Sequence, residues 1–305
     1  MYKRETHSRP ERHSGESDVV ARAGGPVSTP PVHPPRTVTV DDITVAVQEY
    51  GDRDAPSLLV INGTSQSLGF WTETAQIWAT ALHVVTYDLR GLGGTSRGTG
   101  PISSPRLAQD ALGLLDALEI DRAHVLGYSL GSATAQELAL FAPDRVASLV
   151  LQCTWGRTSG FQRAMFTALG HPWKTGDMDA ALGSIGLAFS PEALESPELA
   201  ERMAEMIPLF PSTPEQIAAT AEQWDADIAH DSLDRLSAIS APTLVVAGEQ
   251  DLLTPPGQGE AVAQRIPGAQ YHLFRGEGSS HGLGFERAEE FVPLVLDFLK
   301  QHAVG

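Results

Sequence analysis

Short apolar runs alternate with longer stretches of helical period through most of this 305-residue chain. Residues 58–61, 83–87, 123–126, 146–151 and 242–247 are largely apolar with no alternating polar face. Such runs suit strands of a parallel sheet covered on both sides. Between them, residues 71–82, 107–118, 130–141, 260–266 and 289–302 carry apolar residues at helical spacing. Residues 38–40 and 43–50 alternate β-branched and polar positions and predict a hairpin, and residues 270–274 predict a last strand. Strands and helices in strict alternation predict an α/β fold, a mostly parallel central sheet flanked by helices.

The rhythm breaks at residues 155–231. No strand pattern appears there, and Pro172, Pro191, Pro197, Pro208, Pro211 and Pro214 punctuate short amphipathic helices. This stretch predicts a helical cap between two parts of the core, residues 37–154 and 232–305. Trp155, Phe161, Phe166, Trp173, Phe210 and Trp224, with several methionines, supply its apolar faces. Residues 1–36 are rich in Pro, Ser, Gly, Arg and His without a hydrophobic period, and predict a disordered tail.

Composition narrows the partners. A formal charge of −17 repels phosphate backbones and anionic lipid, so neither nucleic acid nor a membrane surface is expected. No apolar run approaches the ~18 residues that span a bilayer. The first residues lack the apolar segment of a secretory signal, so a cytoplasmic protein is expected. One cysteine, Cys153, rules out an internal disulfide and a cysteine-based zinc site. It follows a predicted strand and reads as a buried, inert thiol.

The chemistry concentrates at Gly127-Tyr128-Ser129-Leu130-Gly131, which has a strand pattern before it and a helical pattern after it. G-x-S-x-G in that setting is a sharp strand-to-helix turn that exposes the serine Oγ. The helix that follows points its N-terminus at the serine, where N–H groups favour an oxyanion. Ser129, Asp251 and His281 each fall just past the end of a predicted parallel strand, where open α/β sheets bind ligands. A serine hydroxyl needs an imidazole to take its proton, and the imidazole needs an acid to fix its tautomer. His281 lies in a Gly/Ser loop that suits a mobile ring, whereas His272 sits inside a strand pattern, His171 and His230 near the cap, and His302 at the tail end. Asp225, Asp227 and Asp231 read as a solvated face of the cap, which leaves Asp251 as the acid. The N–H groups of Leu130 and Thr64 are the expected oxyanion donors, with the Thr64 or Ser65 hydroxyl assisting. Asn62, Ser65, Tyr128 and Trp155 are the expected substrate contacts. No metal or cofactor is called for.

Together these residues resemble the α/β-hydrolase superfamily, nearest the 3-oxoadipate enol-lactonase-like and haloperoxidase-like serine esterases. The resemblance rests on Tyr87-Asp88-Leu89-Arg90-Gly91-Leu92-Gly93, the motif around Ser129, Ala247-Gly248-Glu249-Gln250-Asp251 with Pro255, and His281 followed by Glu286. It implies a scaffold role for the turn at residues 88–90. One departure stands out: relatives place His-Gly where this chain has Asn62-Gly63, and the loop that follows is unusually polar. The expected activity is hydrolysis of a carboxylic ester or lactone of a hydrophobic small molecule through an acyl-enzyme. Thioester hydrolysis or acyl transfer on a bulky substrate, a non-hydrolytic lyase or cyclase, and a non-catalytic binder are the alternatives.

Overall fold

A computed structural model describes residues 29–302. Eight strands form one sheet: β1 (Arg36–Val40), β2 (Ile43–Tyr50), β3 (Ser57–Ile61), β4 (His83–Tyr87), β5 (Ala123–Tyr128), β6 (Val146–Gln152), β7 (Thr243–Gly248) and β8 (Gln270–Phe274). Their order across the sheet is β1-β2-β4-β3-β5-β6-β7-β8. The β1–β2 hairpin and the β2–β4 pair are antiparallel, and every pairing from β4 to β8 is parallel. The order reverses between β3 and β5, which leaves a crevice at their carboxyl ends.

The helices are α1 (Thr72–Trp78), α2 (Ser104–Ala117), α3 (Leu130–Phe141), α4 (Gly160–Thr175), α5 (Met178–Ser184), α6 (Pro191–Leu194), α7 (Pro197–Met206), α8 (Pro214–Ala229), α9 (Pro256–Arg265), α10 (Leu283–Glu286) and α11 (Ala288–Gln301). Strand side chains point alternately to the two faces. Leu59, Ile61, Val125, Leu149, Leu151 and Val245 join one core with α2 and α3. Leu58, Val60, Leu126, Val150, Leu244 and Val246 join the other with Trp78 of α1 and Phe291 and Val295 of α11. Helices on both faces thus account for the largely apolar central strands.

Helices α4 to α8 stand between β6 and β7, in the stretch punctuated by prolines. They carry a small core of their own: Trp155, Phe166, Leu169, Trp173 and Trp224 cluster with Ala133 of α3 and Leu253. Two predicted boundaries change. Residues 71–82 are helical only to Trp78, preceded by a 3-10 turn at Leu68–Trp71. The described part of the predicted tail is fixed to the sheet edge. Val32 bridges Tyr50, the His33 N–H donates to Glu49 O at 3.0 Å, and β1 already begins at Arg36. Residues 1–28 of that tail lie outside the described residues. No described helix is long and apolar enough to cross a membrane.

The turn after β4 is scaffold. The Asp88 carboxylate accepts from the N–H of Leu68 (2.7 Å) and of Gly94 (2.8 Å). The fully buried Arg90 guanidinium forks onto Asp110 of α2, with both N–O distances 2.7 Å, and also reaches Asp42 at 3.2 Å. Removing one partner of a buried ion pair strands the other charge, at a cost of about 3–5 kcal/mol. Arg90→Ala is therefore expected to lower the unfolding free energy by about that much in urea titration. A loss under ~1 kcal/mol would show that Asp110 finds water instead.

Candidate active site

Steric crowding builds the bend at Ser129. The strand β5 ends at Tyr128 and α3 begins at Leu130, so Ser129 must reverse the chain in one residue. It does so at φ 53°, ψ −119°, a conformation costly for a residue with a side chain. A Cβ at Gly127 would lie 2.2 Å from Gly131 O, and one at Gly131 would lie 2.0 Å from Ile61 O. Only glycine fits either place. The strained residue is held by its neighbours. Its N–H donates to Gln152 O at 3.0 Å, and its carbonyl accepts from the Ser132 N–H (2.7 Å) and hydroxyl (2.6 Å).

The three predicted residues come together. His281 Nε2 lies 3.0 Å from Ser129 Oγ, and His281 Nδ1 lies 2.8 Å from Asp251 Oδ2. Asp251 is buried and its remaining acceptor sites are filled. Oδ1 accepts from the N–H groups of Leu253 (2.9 Å) and Thr254 (2.8 Å), and Oδ2 from the Thr254 hydroxyl (2.7 Å). Burial works to raise its pKa, but the His281 ring and the Thr254 bonds outweigh burial and hold it below the usual carboxylate range. An ionised Asp251 fixes the proton on Nδ1 and leaves Nε2 to accept from Ser129. His272, His230 and His124 stand elsewhere, and burial lowers the pKa of each.

The loop of His281 is not the mobile segment its glycines and serines suggest. Ser279, Ser280 and His281 are buried. The Gly282 N–H donates to Ala188 O of the cap at 2.7 Å, and Ser280 Oγ lies 2.9 Å from the same oxygen. Glu286 accepts from the Ser280 hydroxyl and from the Ser190 N–H. The His281 carbonyl accepts from Tyr128 Oη (3.2 Å) and Cys153 Sγ (3.3 Å). Donor atoms of Cys153, Asp251 and His281 lie within 4.8 Å of one another, but burial keeps the thiol protonated, which makes it a poor metal ligand.

A cavity of about 420 Å³ opens above Ser129 and His281. Phe70, Trp71, Trp173, Phe189, Phe210 and Trp224 give it an aromatic lining. Thr64, Ser65 and Tyr128 also line it, but two predicted contacts do not. Asn62 is fully buried beneath it, where its amide donates to Tyr87 O at 2.7 Å and ties the end of β3 to the end of β4. Trp155 is fully buried in the cap core against Phe166, its ring N–H on the Thr158 hydroxyl. The Thr64 hydroxyl is not available to an oxyanion either, because it donates to Asp227 Oδ2 at 2.6 Å. Among the described residues, no acceptor occupies the N–H of Thr64 or of Leu130. Gln152 escaped sequence reading. Its side chain lines the cavity, is 2% exposed, and its Oε1 has no partner. A polar residue closing a largely apolar strand was the available signal.

A second Ser–His–acid contact exists at the far end of the sheet. Ser57 Oγ lies 3.2 Å from His83 Nδ1, and His83 Nε2 lies 3.1 Å from Glu49. It borders a groove of about 1010 Å³. Here Arg36 and Arg53 already neutralise Glu49, and Ser57 begins an ordinary paired strand. The helix end beside it is the C-terminal end of α2, which disfavours an oxyanion. This contact ties strands together and lacks the parts an acyl transfer needs.

Asp227 also departs from expectation. It is buried, not part of a solvated face, and its Oδ1 has no partner. Burial pushes its pKa up to about 8, against the pull of the Thr64 hydroxyl. An aspartate in the unfolded chain titrates near ~4, so between these values the folded protein binds more protons. Stability conferred below that lower value is then lost as pH climbs toward about 8. Asp227→Asn removes the titration, so its urea midpoint relative to wild type is expected to rise between about pH 4 and about pH 8 and to level off above that. A difference independent of pH would mean the carboxyl is not held neutral.

Relatives agree with this architecture. Residues 56–281 match the family described as the alpha/beta hydrolase fold. The putative carbamate hydrolase RutD of Azorhizobium caulinodans is 29% identical over 244 residues, covering 79% of this chain and 90% of that protein. The 3-oxoadipate enol-lactonase 2 of Acinetobacter baylyi is 29% identical over 278 residues, covering 89% of this chain and 99% of that protein. The crystal structure of the enol-lactonase from Burkholderia xenovorans superposes with a TM-score of 0.79 at 28% identity, covering 87% of this chain and all of that one. An α/β sheet with its reversal beside the sharp bend at Ser129, and a family match over most of the chain, make this protein an enzyme of the alpha/beta hydrolase fold family.

Proposed function

We propose that this hydrolase cleaves a carboxylic ester or lactone of a bulky, largely apolar small molecule through an acyl-enzyme on Ser129. The observation that carries the reading is the continuous chain from Ser129 Oγ through the His281 ring to Asp251, at 3.0 and 2.8 Å. His281 takes the hydroxyl proton as Oγ attacks the carbonyl carbon, and returns a proton to the leaving alkoxide. Asp251 orients the ring and offsets the imidazolium charge. The N–H groups of Leu130 and Thr64 receive the tetrahedral oxyanion, each worth about 2.7–4 kcal/mol when well aimed. Water then attacks the acyl-enzyme with His281 again as base, which releases the acid. The leaving group of the natural substrate, alcohol or lactone oxygen, is a matter of the cavity and not of the triad.

Two outcomes test the chemistry. Ser129→Ala is expected to lose at least about 10³-fold of nitrophenyl-ester turnover, and Asp251→Asn about 10²–10⁴-fold, with folding unchanged. A fluorophosphonate adduct should appear on Ser129 in wild type only. Equal turnover by wild type and Ser129→Ala would sink the acyl-enzyme.

The aromatic lining supports the apolar substrate. Each methylene moved from water into it is worth about 0.8 kcal/mol. From acetate to hexanoate esters, kcat/KM should therefore rise up to about fourfold per carbon until the cavity is full. A flat or falling series would place the acyl chain outside the cavity.

A further inference from the structure

The turn that carries Thr64 does not hold itself in place. Within the turn, the Gly63 N–H donates to Gln66 Oε1 at 3.0 Å and the Gln66 N–H to Gly63 O at 3.3 Å. Ser65 sits at φ 65°, in the left-handed region that costs a residue with a side chain about 1–3 kcal/mol. The contacts that fix Thr64 and Ser65 come from the cap. The Ser65 N–H donates to Gln223 Oε1 at 2.9 Å, and the Thr64 hydroxyl donates to Asp227 Oδ2 at 2.6 Å. Gln223 and Asp227 are four residues apart on α8 and so share one helix face.

From these contacts we infer that Gln223 and Asp227 are positioning residues, a two-point clamp through which cap helix α8 aims the Thr64 N–H at the oxyanion. The inference rests on the acyl-enzyme reading, with Thr64 as an oxyanion donor. Three further observations support it. First, stability does not explain the pair. Both side chains are buried, yet Gln223 Nε2 and Asp227 Oδ1 have no partner, and each such orphan costs about 1–3 kcal/mol. Second, the clamp occupies the Ser65 N–H, and the Gly63 and Gln66 N–H groups are bonded within the turn, so among the N–H groups of residues 63–66 that of Thr64, a residue lining the cavity, is the one left over. Third, α8 is anchored at other points: the Thr158 hydroxyl donates to Asp227 O at 2.8 Å, Gln216 Nε2 donates to Gly93 O at 3.1 Å, and Arg97 pairs with Glu222. Trp224, between the two clamp residues, is a wall of the cavity. One helix thus touches the substrate space and sets the oxyanion donor, which also accounts for the polar loop after Asn62.

Steady-state kinetics on a nitrophenyl ester, with a trifluoromethyl ketone as tetrahedral mimic, test the clamp. Asp227→Ala and Gln223→Ala should each lower kcat about 10–100-fold with KM within about threefold. The inhibition constant of the ketone should rise in step with the loss in kcat. Asp227→Asn keeps an acceptor for Thr64 and should recover most of the loss. Thr64→Val cuts the same contact from the other side and covers the case in which Asp227→Ala fails to fold. Its loss should match that of Asp227→Ala, and the double variant should be no worse than either single one. Unchanged kcat in the clamp variants, a loss confined to KM, or ketone binding that does not follow kcat would overturn the clamp and leave the acyl-enzyme standing. A wild type without esterase turnover would overturn both.

Discussion

Everything gathered around Ser129 depends on how closely the bend there packs against the end of β3. The carbonyl of Ile61 approaches Gly131 where a side chain would stand, 2.0 Å from the position of its missing Cβ. That contact exists because β3 and β5 are parallel neighbours with Ile61 opposite Gly127. It brings two chain segments, one ending in the half-buried Ser129 and one opening into the turn of Thr64, to the same end of the sheet. The strain at Ser129 is tolerable because its N–H and carbonyl are both bonded to elements that cannot move without breaking the core.

The cap completes what the sheet begins, on both sides of the serine. Ala188 holds the loop of His281 from one side, and Gln223 and Asp227 hold the turn of Thr64 from the other. In a loop rich in Gly and Ser, the polar groups of Ser280 and Gly282 thereby find protein partners and not water. The same logic explains the aromatic cavity: Trp173 and Trp224 of the cap face Phe70 and Trp71 of the core across a space that neither part encloses alone.

Much of this was legible in the chain itself. The helix Leu130–Phe141 and the strand Gln270–Phe274 stand where period and punctuation put them. That Ser129, Asp251 and His281 would meet was legible because each follows a strand, and parallel strands all deliver their ends to one edge. Asn62 and Trp155 were misread for one reason: sequence neighbourhood tells which element a side chain leaves, not which way it points. Asn62 points down to Tyr87 O, and Trp155 into the cap core. Asp227 was misread more deeply. Charge on an amphipathic helix normally faces water, and only contact with a residue 163 positions away shows that it does not.

The sequence by itself determined the alternation of strand and helix, the cramped glycine bend and the edge at which the polar groups gather, because these follow from local sterics and from the period of burial. Only the tertiary structure decided which N–H groups stay free, which loop groups find protein partners and which carboxyl is buried. Those depend on partners supplied by the cap, and packing between segments distant in the chain leaves no period for a sequence to display.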